Sequence, residues 1–272
     1  MEARVASGIA EVEAEPDGSF VLLVDGSLQS RVDLADPTRL LFEYVRRIGD
    51  VFDLIAPRRQ PLSVLHIGGA GLTLPRYVAA TRPRSRQIVL EPDEDLTDFV
   101  RETLPIPKRA GIKVRPQTGR TGIRDVYDAS VDVVVVDAFL DEAVPRDLLT
   151  SEFTAECARV LRPGGVLVLN LIDGHGLGTA RRVAATLRSG LGEGLVLAEA
   201  PVLAGKRFGN LVLVASRQPL PVDGLRETGV RGRPPYEAYP LRRLAARARP
   251  LTDADLFDSP AAPEGTFQSA GD

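Results

Sequence analysis

Apolar residues in the first thirty positions recur at every second place. The runs GIAEVEA and FVLLVDGSLQS alternate in this way and are set apart by Pro16-Asp17-Gly18 and Asp25-Gly26. A period of two marks a strand with one buried face. Both spacers are turn chemistry, because glycine takes a positive φ without strain and aspartate bonds back to its own backbone. A small N-terminal antiparallel sheet is therefore predicted. The period then lengthens: Leu40, Leu41, Tyr44, Val45 and Ile48 recur at helical spacing behind Asp36-Pro37. Aspartate suits an N-cap and proline the first turn, so a helix is expected to open there.

From Pro61 strands and helices alternate. SVLHIGG, RQIVLEP and GIKVRPQ read as short strands, with helices from Thr73 and over DEDLTDFVRETL. VDVVVVDAF is the most β-branched run and is expected to be a central strand buried on both faces. SEFTAECARVL is a helix, Arg162-Pro163-Gly164-Gly165 a turn, VLVLNLI a strand and GTARRVAATLRSGL a further helix. GLVLAEAPVL and NLVLVAS are joined by too short a link for a parallel crossover, so they form an antiparallel pair. The expected fold is an α/β Rossmann sheet, parallel with an antiparallel edge hairpin, behind the small β-sheet. After Ser216 the chain turns Pro- and Arg-rich; LRRLAARAR reads as a short helix and DSPAAPEGTFQSAGD as a disordered end. The division is residues 1–55 for the β-domain and linking helix, 56–216 for the Rossmann domain and 217–272 for a C-terminal extension.

Composition narrows the classes. With 44% hydrophobic and 26% charged residues the chain is globular rather than disordered. A net charge of −3 provides no basic field for a phosphate backbone, so no nucleic-acid partner is expected. Cys157 is the one cysteine, which excludes an internal disulfide. Its helical setting, with Phe153 and Val160 on the same face, reads as a core thiol. His66 and His175 with one cysteine form no zinc pattern, and no metal is expected. No apolar run reaches spanning length, and the acidic start lacks a signal-peptide pattern. A cytoplasmic protein without a membrane partner is the expectation.

The candidate chemistry sits at strand ends. Gly68-Gly69-Ala70-Gly71 follows the first strand of the alternating region and opens a helix. Such a turn lets a ligand approach backbone closely, with helix N–H groups facing it. Glu91 closes the next strand about 20 residues on, where a carboxylate can accept both hydroxyls of a ribose. A dinucleotide fingerprint needs a third glycine where Leu74 stands, which weakens an NAD reading. Leu161-Arg162-Pro163-Gly164-Gly165 before the fifth strand, followed by a closing hairpin, is instead the layout of class I methyltransferase-like folds. Asp137 ends the central strand, on the side where open α/β sheets bind their ligands.

At these residues the chain resembles the spermidine synthase family, polyamine aminopropyltransferases, and in particular its bacterial spermidine-synthase-like branch. Leu23-Val24-Asp25-Gly26-Ser27-Leu28-Gln29 is similar to the family's "LDG..Q" strand, and Glu43 matches the glutamate of its "YHE" helix. Gly68, Gly69 and Gly71 fall in its "GGGDGG" turn, and Glu91 and Asp93 in its "VExD" strand end. Asp137 matches the first aspartate of "DSSDP", and LLTSEF is like "LFTEEF".

The resemblance implies transfer of an aminopropyl group from decarboxylated S-adenosylmethionine, or a relation of it that uses S-adenosylmethionine itself, to a small cationic amine such as putrescine. It implies Asp137 and Asp141 as catalytic residues. Gln29, Gly68, Gly69, Gly71, Glu91, Asp93, Gly119, Arg120 and Asp137 would contact the nucleoside, and Glu43, Asp141 and Glu142 the amine. A homodimer or tetramer is implied by the same analogy. Several positions depart from the family pattern. Leu41 and Phe42 stand for the Tyr and His of "YHE", Gly71 for the Asp of "GGGDGG", Gly119 for the Asp of "GDA", and Leu140 for the second "DSSDP" aspartate. Three rivals therefore stay open: an S-adenosylmethionine-dependent methyltransferase, a catalytically silent nucleoside-binding scaffold and, more weakly, an NAD-dependent oxidoreductase.

Overall fold

Two sheets carry the chain in the computed structural model, which describes residues 1–140 and 143–255. The first is antiparallel, with strands β1 (Glu2–Val5), β2 (Gly8–Ala14), β3 (Phe20–Val24) and β4 (Ser27–Val32) paired in sequence order. Asp25 and Gly26 take φ values of 47° and 74°, the left-handed pair that a two-residue hairpin between twisted strands requires. Asp17 accepts from the backbone and hydroxyl of Ser19, closing the earlier turn.

The linking helix starts later than Asp36-Pro37 suggests: α1 spans Glu43–Leu54. Asp36 Oδ1 accepts instead from the N–H and hydroxyl of Thr38, at 3.0 and 2.6 Å. Asp33 accepts from the N–H groups of Ala35 and Asp36 and pairs with Arg39 at 3.1 Å. These local bonds compete with the helix ladder and hold residues 33–39 as a linker.

The second sheet opens with β5 (Ser63–Ile67), α2 (Thr73–Thr81), β6 (Arg86–Leu90), α3 (Glu94–Thr103), β7 (Ile112–Arg115) and the single turn α4 (Gly119–Gly122). It continues with β8 (Val131–Val136), α5 (Ser151–Val160), β9 (Leu161–Asp173), α6 (Gly178–Leu191) and β10 (Glu193–Ala198). Last come α7 (Ala200–Leu203), β11 (Gly209–Ser216), α8 (Val222–Arg231), β12 (Glu237–Pro240) and α9 (Leu241–Leu244). Strand order is β12-β10-β11-β9-β8-β5-β6-β7; β5 to β9 run parallel, and β10, β11 and β12 pair antiparallel. The chain leaves β5 toward β6 on one side and later returns to β8 on the other. That switch point splays the two crossovers and opens a crevice at the strands' carboxyl ends.

The β8 run is buried on both faces. Val134 and Val136 join the core under α5 and α6, while Val133 and Val135 join the core under α1 and α2. The two faces of β5 divide likewise, with Leu65 and Ile67 on one side and Val64 on the other. The N-terminal sheet turns Ala10, Val12, Leu22, Val24 and Val32 onto Leu96, Phe99 and Val100 of α3, forming a third core.

Three local readings differ. The Arg162-Pro163-Gly164-Gly165 turn is a bulge inside β9, where the register with β8 shifts between Val131 and Val133 and Gly164 takes φ 83°. β10 stops at Ala198, and Pro201, which cannot donate to a ladder, sits in the first turn of α7. The antiparallel hairpin is not the sheet edge, since β12 pairs with β10 beyond it. The chain after Ser216 also enters the core: Leu241, Leu244, Ala245 and Leu251 are buried with α6. Leu251 donates its N–H to Thr186 Oγ1 at 2.7 Å and accepts from the N–H of Ser151 at 2.7 Å. The disordered reading of residues 258–272 lies outside the described residues.

Candidate active site

The crevice at the carboxyl ends of β5, β6 and β8 is a cleft of about 520 Å³. One wall is the glycine turn. Gly68 takes φ 91°, and a Cβ on it would lie 2.1 Å from the backbone oxygen of Asp137. Only glycine lets the ends of β5 and β8 come this close. The turn is tied to the end of β6: Glu91 Oε2 accepts from the N–H groups of Gly69 at 2.9 Å and Ala70 at 3.3 Å, and Oε1 from Asp93 N–H at 3.2 Å. Burial raises the proton affinity of Glu91, and these backbone donors hold the rise in check. Glu91 lines the cleft, and its two oxygens keep lone pairs for a ligand.

The N-terminal sheet supplies the next wall. Asp93 caps α3 through Leu96 N–H, and its other oxygen accepts from the N–H and hydroxyl of Ser7 at 2.7 and 2.6 Å. Burial pushes this carboxyl up, but the Ser7 and Leu96 donors outweigh it and hold it below its ordinary value. Gln29 and Ser30 of β4 line the same side. The opposite wall is Thr118, Gly119 and Arg120. A Cβ on Gly119 would sit 2.3 Å from Ile67 Cγ2, so the short helix lies directly on β5. Arg120 is held by Asp253, and its Nη1 reaches the backbone oxygen of Asp147 at 3.3 Å.

Asp137 stands on the cleft floor just past β8. Burial raises its carboxyl to about 6 against hydrogen bonds from Asn170 and Tyr44 that favour the ionised form. Asn170 Nδ2 donates to Oδ1 at 2.9 Å. Tyr44 lies on α1 beside Phe42, with ring centroids 6.1 Å apart, and both rings line the cleft with Phe139 and Leu148.

The cleft thus gathers Gln29, Gly68, Gly69, Glu91, Asp93, Gly119, Arg120 and Asp137. It does not gather Gly71 or Glu43. Gly71 turns its N–H to Ser30 Oγ at 3.0 Å, behind the wall. Glu43 faces Arg47 at 3.5 Å, and burial and the nearby Glu199 carboxylate raise its proton affinity. Glu199 in turn pairs with Arg47 at 3.3 Å and Arg207 at 2.8 Å. Asp141 and Glu142 lie outside the described residues. Tyr44 and Asn170 both act on Asp137, and sequence reasoning misses both. In the sequence Tyr44 counts only as one apolar position of a helix. Asn170, by contrast, carries a usable signal: a lone amide inside the apolar run VLVLNLI.

Among the described residues no helix is long and apolar enough to cross a membrane. No family model matches the chain. A polyamine aminopropyltransferase of Chromobacterium violaceum is 25% identical over 166 residues, covering 60% of this chain and 62% of that protein. A probable polyamine aminopropyl transferase of Bifidobacterium longum is 32% identical over 117 residues, covering 42% of this chain and 26% of that protein. The matches thus take in less than two thirds of either curated relative. A probable spermidine synthase of Corynebacterium glutamicum superposes with TM-score 0.87 at 27% identity, covering 97% of this chain and 99% of that one. A spermidine synthase in complex with the transition-state analogue AdoDATO has TM-score 0.62 at 17% identity, covering 91% of this chain and 83% of that one, a likeness of fold.

The fold and the cleft define a class I methyltransferase-like Rossmann protein carrying an extra N-terminal β-sheet. Within that class, the likenesses of sequence and structure are to polyamine aminopropyltransferases and to a probable spermidine synthase.

Proposed function

We propose that this chain transfers an aminopropyl group from decarboxylated S-adenosylmethionine to an amine such as putrescine. Asp137 carries the reading: a carboxyl on the floor of a nucleoside-sized cleft, with its proton affinity raised to about 6. Such a group is mostly ionised at neutral pH and takes up a proton at small cost, as a general base must. The names of the curated relatives and of the Corynebacterium glutamicum structure support the reaction class.

In this reading Glu91 accepts the ribose hydroxyls, the backbone from Gly68 to Ala70 lets the nucleoside approach, and Gln29, Asp93, Gly119 and Arg120 close the sides. The donor is a sulfonium. Attack of the neutral amine on the carbon beside sulfur forms the C–N bond and breaks the C–S bond, whose electron pair leaves on a neutral thioether. The surplus proton on nitrogen passes to Asp137. Aligning two bound partners supplies much of the rate. Glu43 is already paired with Arg47, so Asp141 and Glu142 are the carboxylates we assign to the amine.

Methyl transfer from intact S-adenosylmethionine is the second reading. The glycine turn from Gly68 to Gly71 carries no acid that would repel the carboxylate of the intact donor. Calorimetry with decarboxylated and intact S-adenosylmethionine, methylthioadenosine and NAD, followed by a putrescine turnover assay, separates the readings. Preference for the intact donor supports methyl transfer, binding without turnover supports a silent scaffold, and tight NAD binding defeats both transferase readings.

A further inference from the structure

Asp137 is the end of a chain of two side-chain amides that runs from the end of β8 across β9 to β11. Asn170, fully buried in β9, donates from Nδ2 to Asp137 Oδ1 at 2.9 Å. Its own Oδ1 accepts from Asn210 Nδ2 of β11 at 3.1 Å. Asn210 opposes Ile172 in the β9–β11 ladder, and its backbone oxygen accepts from Arg47 Nη1 at 3.3 Å. Arg47 is in turn clamped by Glu199 and Glu43. The groups that act on the Asp137 charge are therefore Asn170 from β9 and Tyr44 from α1, while Gly68 brings its backbone against the Asp137 backbone. Nearby, the buried His66 is held neutral by desolvation, with its pKa lowered to about 4, and its Nε2 faces Gln87.

A primary amide has a donor end and an acceptor end, so each link fixes the next. With Asn170 Oδ1 occupied by the Asn210 donor, Asn170 presents N–H to Asp137. Reversed, it presents oxygen to Asp137, and an acceptor there tolerates only the protonated acid. Asn170 is shut off from solvent, so its orientation depends on the partner behind it.

We propose that Asn210 is a positioning residue for the reaction: by occupying the oxygen of Asn170 it turns that amide to donate to Asp137 and so keeps Asp137 available to accept a proton. The idea rests on the aminopropyl-transfer reading for its use in catalysis, but not for its test. Arg47 anchors the start of β11 and thus the far end of the relay. The arrangement also accounts for two amide side chains in the apolar runs VLVLNLI and NLVLVA, where each unpaired amide would be costly.

The test follows the Asp137 carboxyl directly, by carbon NMR on the full chain labelled at aspartate, in the wild type, N210L, N170L and the double variant. Removing the Asn210 donor frees Asn170 to turn. The Asp137 midpoint is then expected to rise by about one pH unit, the scale of one charge-assisted hydrogen bond. N170L raises it at least as much, and adding N210L to N170L gives no further shift, because Asn210 acts only through Asn170. An unchanged midpoint in N210L, or shifts that add in the double variant, overturns the proposal. Thermal midpoints read alongside separate a merely structural role, which lowers stability without moving the titration. If the wild type binds no sulfonium nucleoside while the titrations behave as stated, the functional reading fails and the relay stands.

Discussion

Ser30 Oγ accepts the backbone N–H of Gly71 at 3.0 Å, so the last strand of the N-terminal sheet is tied to the glycine turn, one wall of the cleft to the next. A Cβ at Gly71 would lie 2.8 Å from Ser30 Cβ, which leaves no room for a larger residue. The aspartate that the family motif has here cannot be restored by itself. G71D is expected to lose about 1–3 kcal/mol from overpacking, and S30G in the same chain to recover most of it. Urea unfolding of the two single variants and the double variant measures the interaction; additive losses would mean that the two residues do not share this space.

Gly68 is constrained more tightly. Its φ of 91° and the 2.1 Å that would separate an added Cβ from Asp137 O both exclude a side chain. G68A is expected to cost at least about 3 kcal/mol and to abolish nucleoside affinity, because the turn and the floor move together. A variant with wild-type unfolding and wild-type calorimetry would show that the turn yields without effect.

Sequence patterning brings out the sheet because its signals are local. The valines of β8 and the Asp25-Gly26 hairpin each declare themselves within a few residues. Glu91 and the glycine turn are legible for the same reason: a run of glycines and a strand-closing carboxylate are signals of a few residues each. Tyr44 and Asn170 are not, because their role depends on where α1 and β9 pass Asp137, a relation of tertiary packing. The late start of α1 is hidden by Asp36, whose side chain closes a turn as readily as it caps a helix. The pairing of Glu43 with Arg47 is an i,i+4 match that the sequence offers, but Glu199, 156 residues beyond Glu43, pairs with the same Arg47, and no local pattern reports that.

Glu91 is expected to matter through its charge. In E91Q one oxygen still accepts from Gly69, so the turn keeps its tie, while the charge-assisted bonds to a ribose are lost. Nucleoside affinity is expected to fall about 10- to 100-fold. Stability at neutral pH should change little, because relief of the buried charge offsets the Asp93 N–H bond that the amide nitrogen cannot accept. Calorimetry and thermal melts on the same preparation check both halves; undiminished affinity would remove Glu91 from the binding site.

In the proposed reaction Asp137 trades stability for reactivity, and D137N exposes the trade. The folded carboxyl titrates at about 6, against an ordinary aspartate value of 3.8. A folded-state pKa raised above the unfolded value means that the folded chain binds the proton more tightly. The cost to stability is therefore complete above about 6, shrinks as pH falls from there, and is gone below the unfolded value. The asparagine keeps an oxygen for Asn170 and an amide nitrogen that can donate to the Tyr44 hydroxyl, but carries no charge. D137N is expected to melt at or above the wild-type temperature at pH 7.5, by the equivalent of up to about 3 kcal/mol, and to lose that advantage near pH 4. Turnover moves the opposite way: kcat/KM of the wild type should fall about tenfold per unit below pH 6 as the base is protonated, while D137N should be inactive with nucleoside affinity nearly intact. Melting curves from pH 4 to 8 beside the pH–rate profile decide it. A D137N protein less stable than wild type at pH 7.5, or one that still turns over, would mean that Asp137 is a structural acid rather than the base.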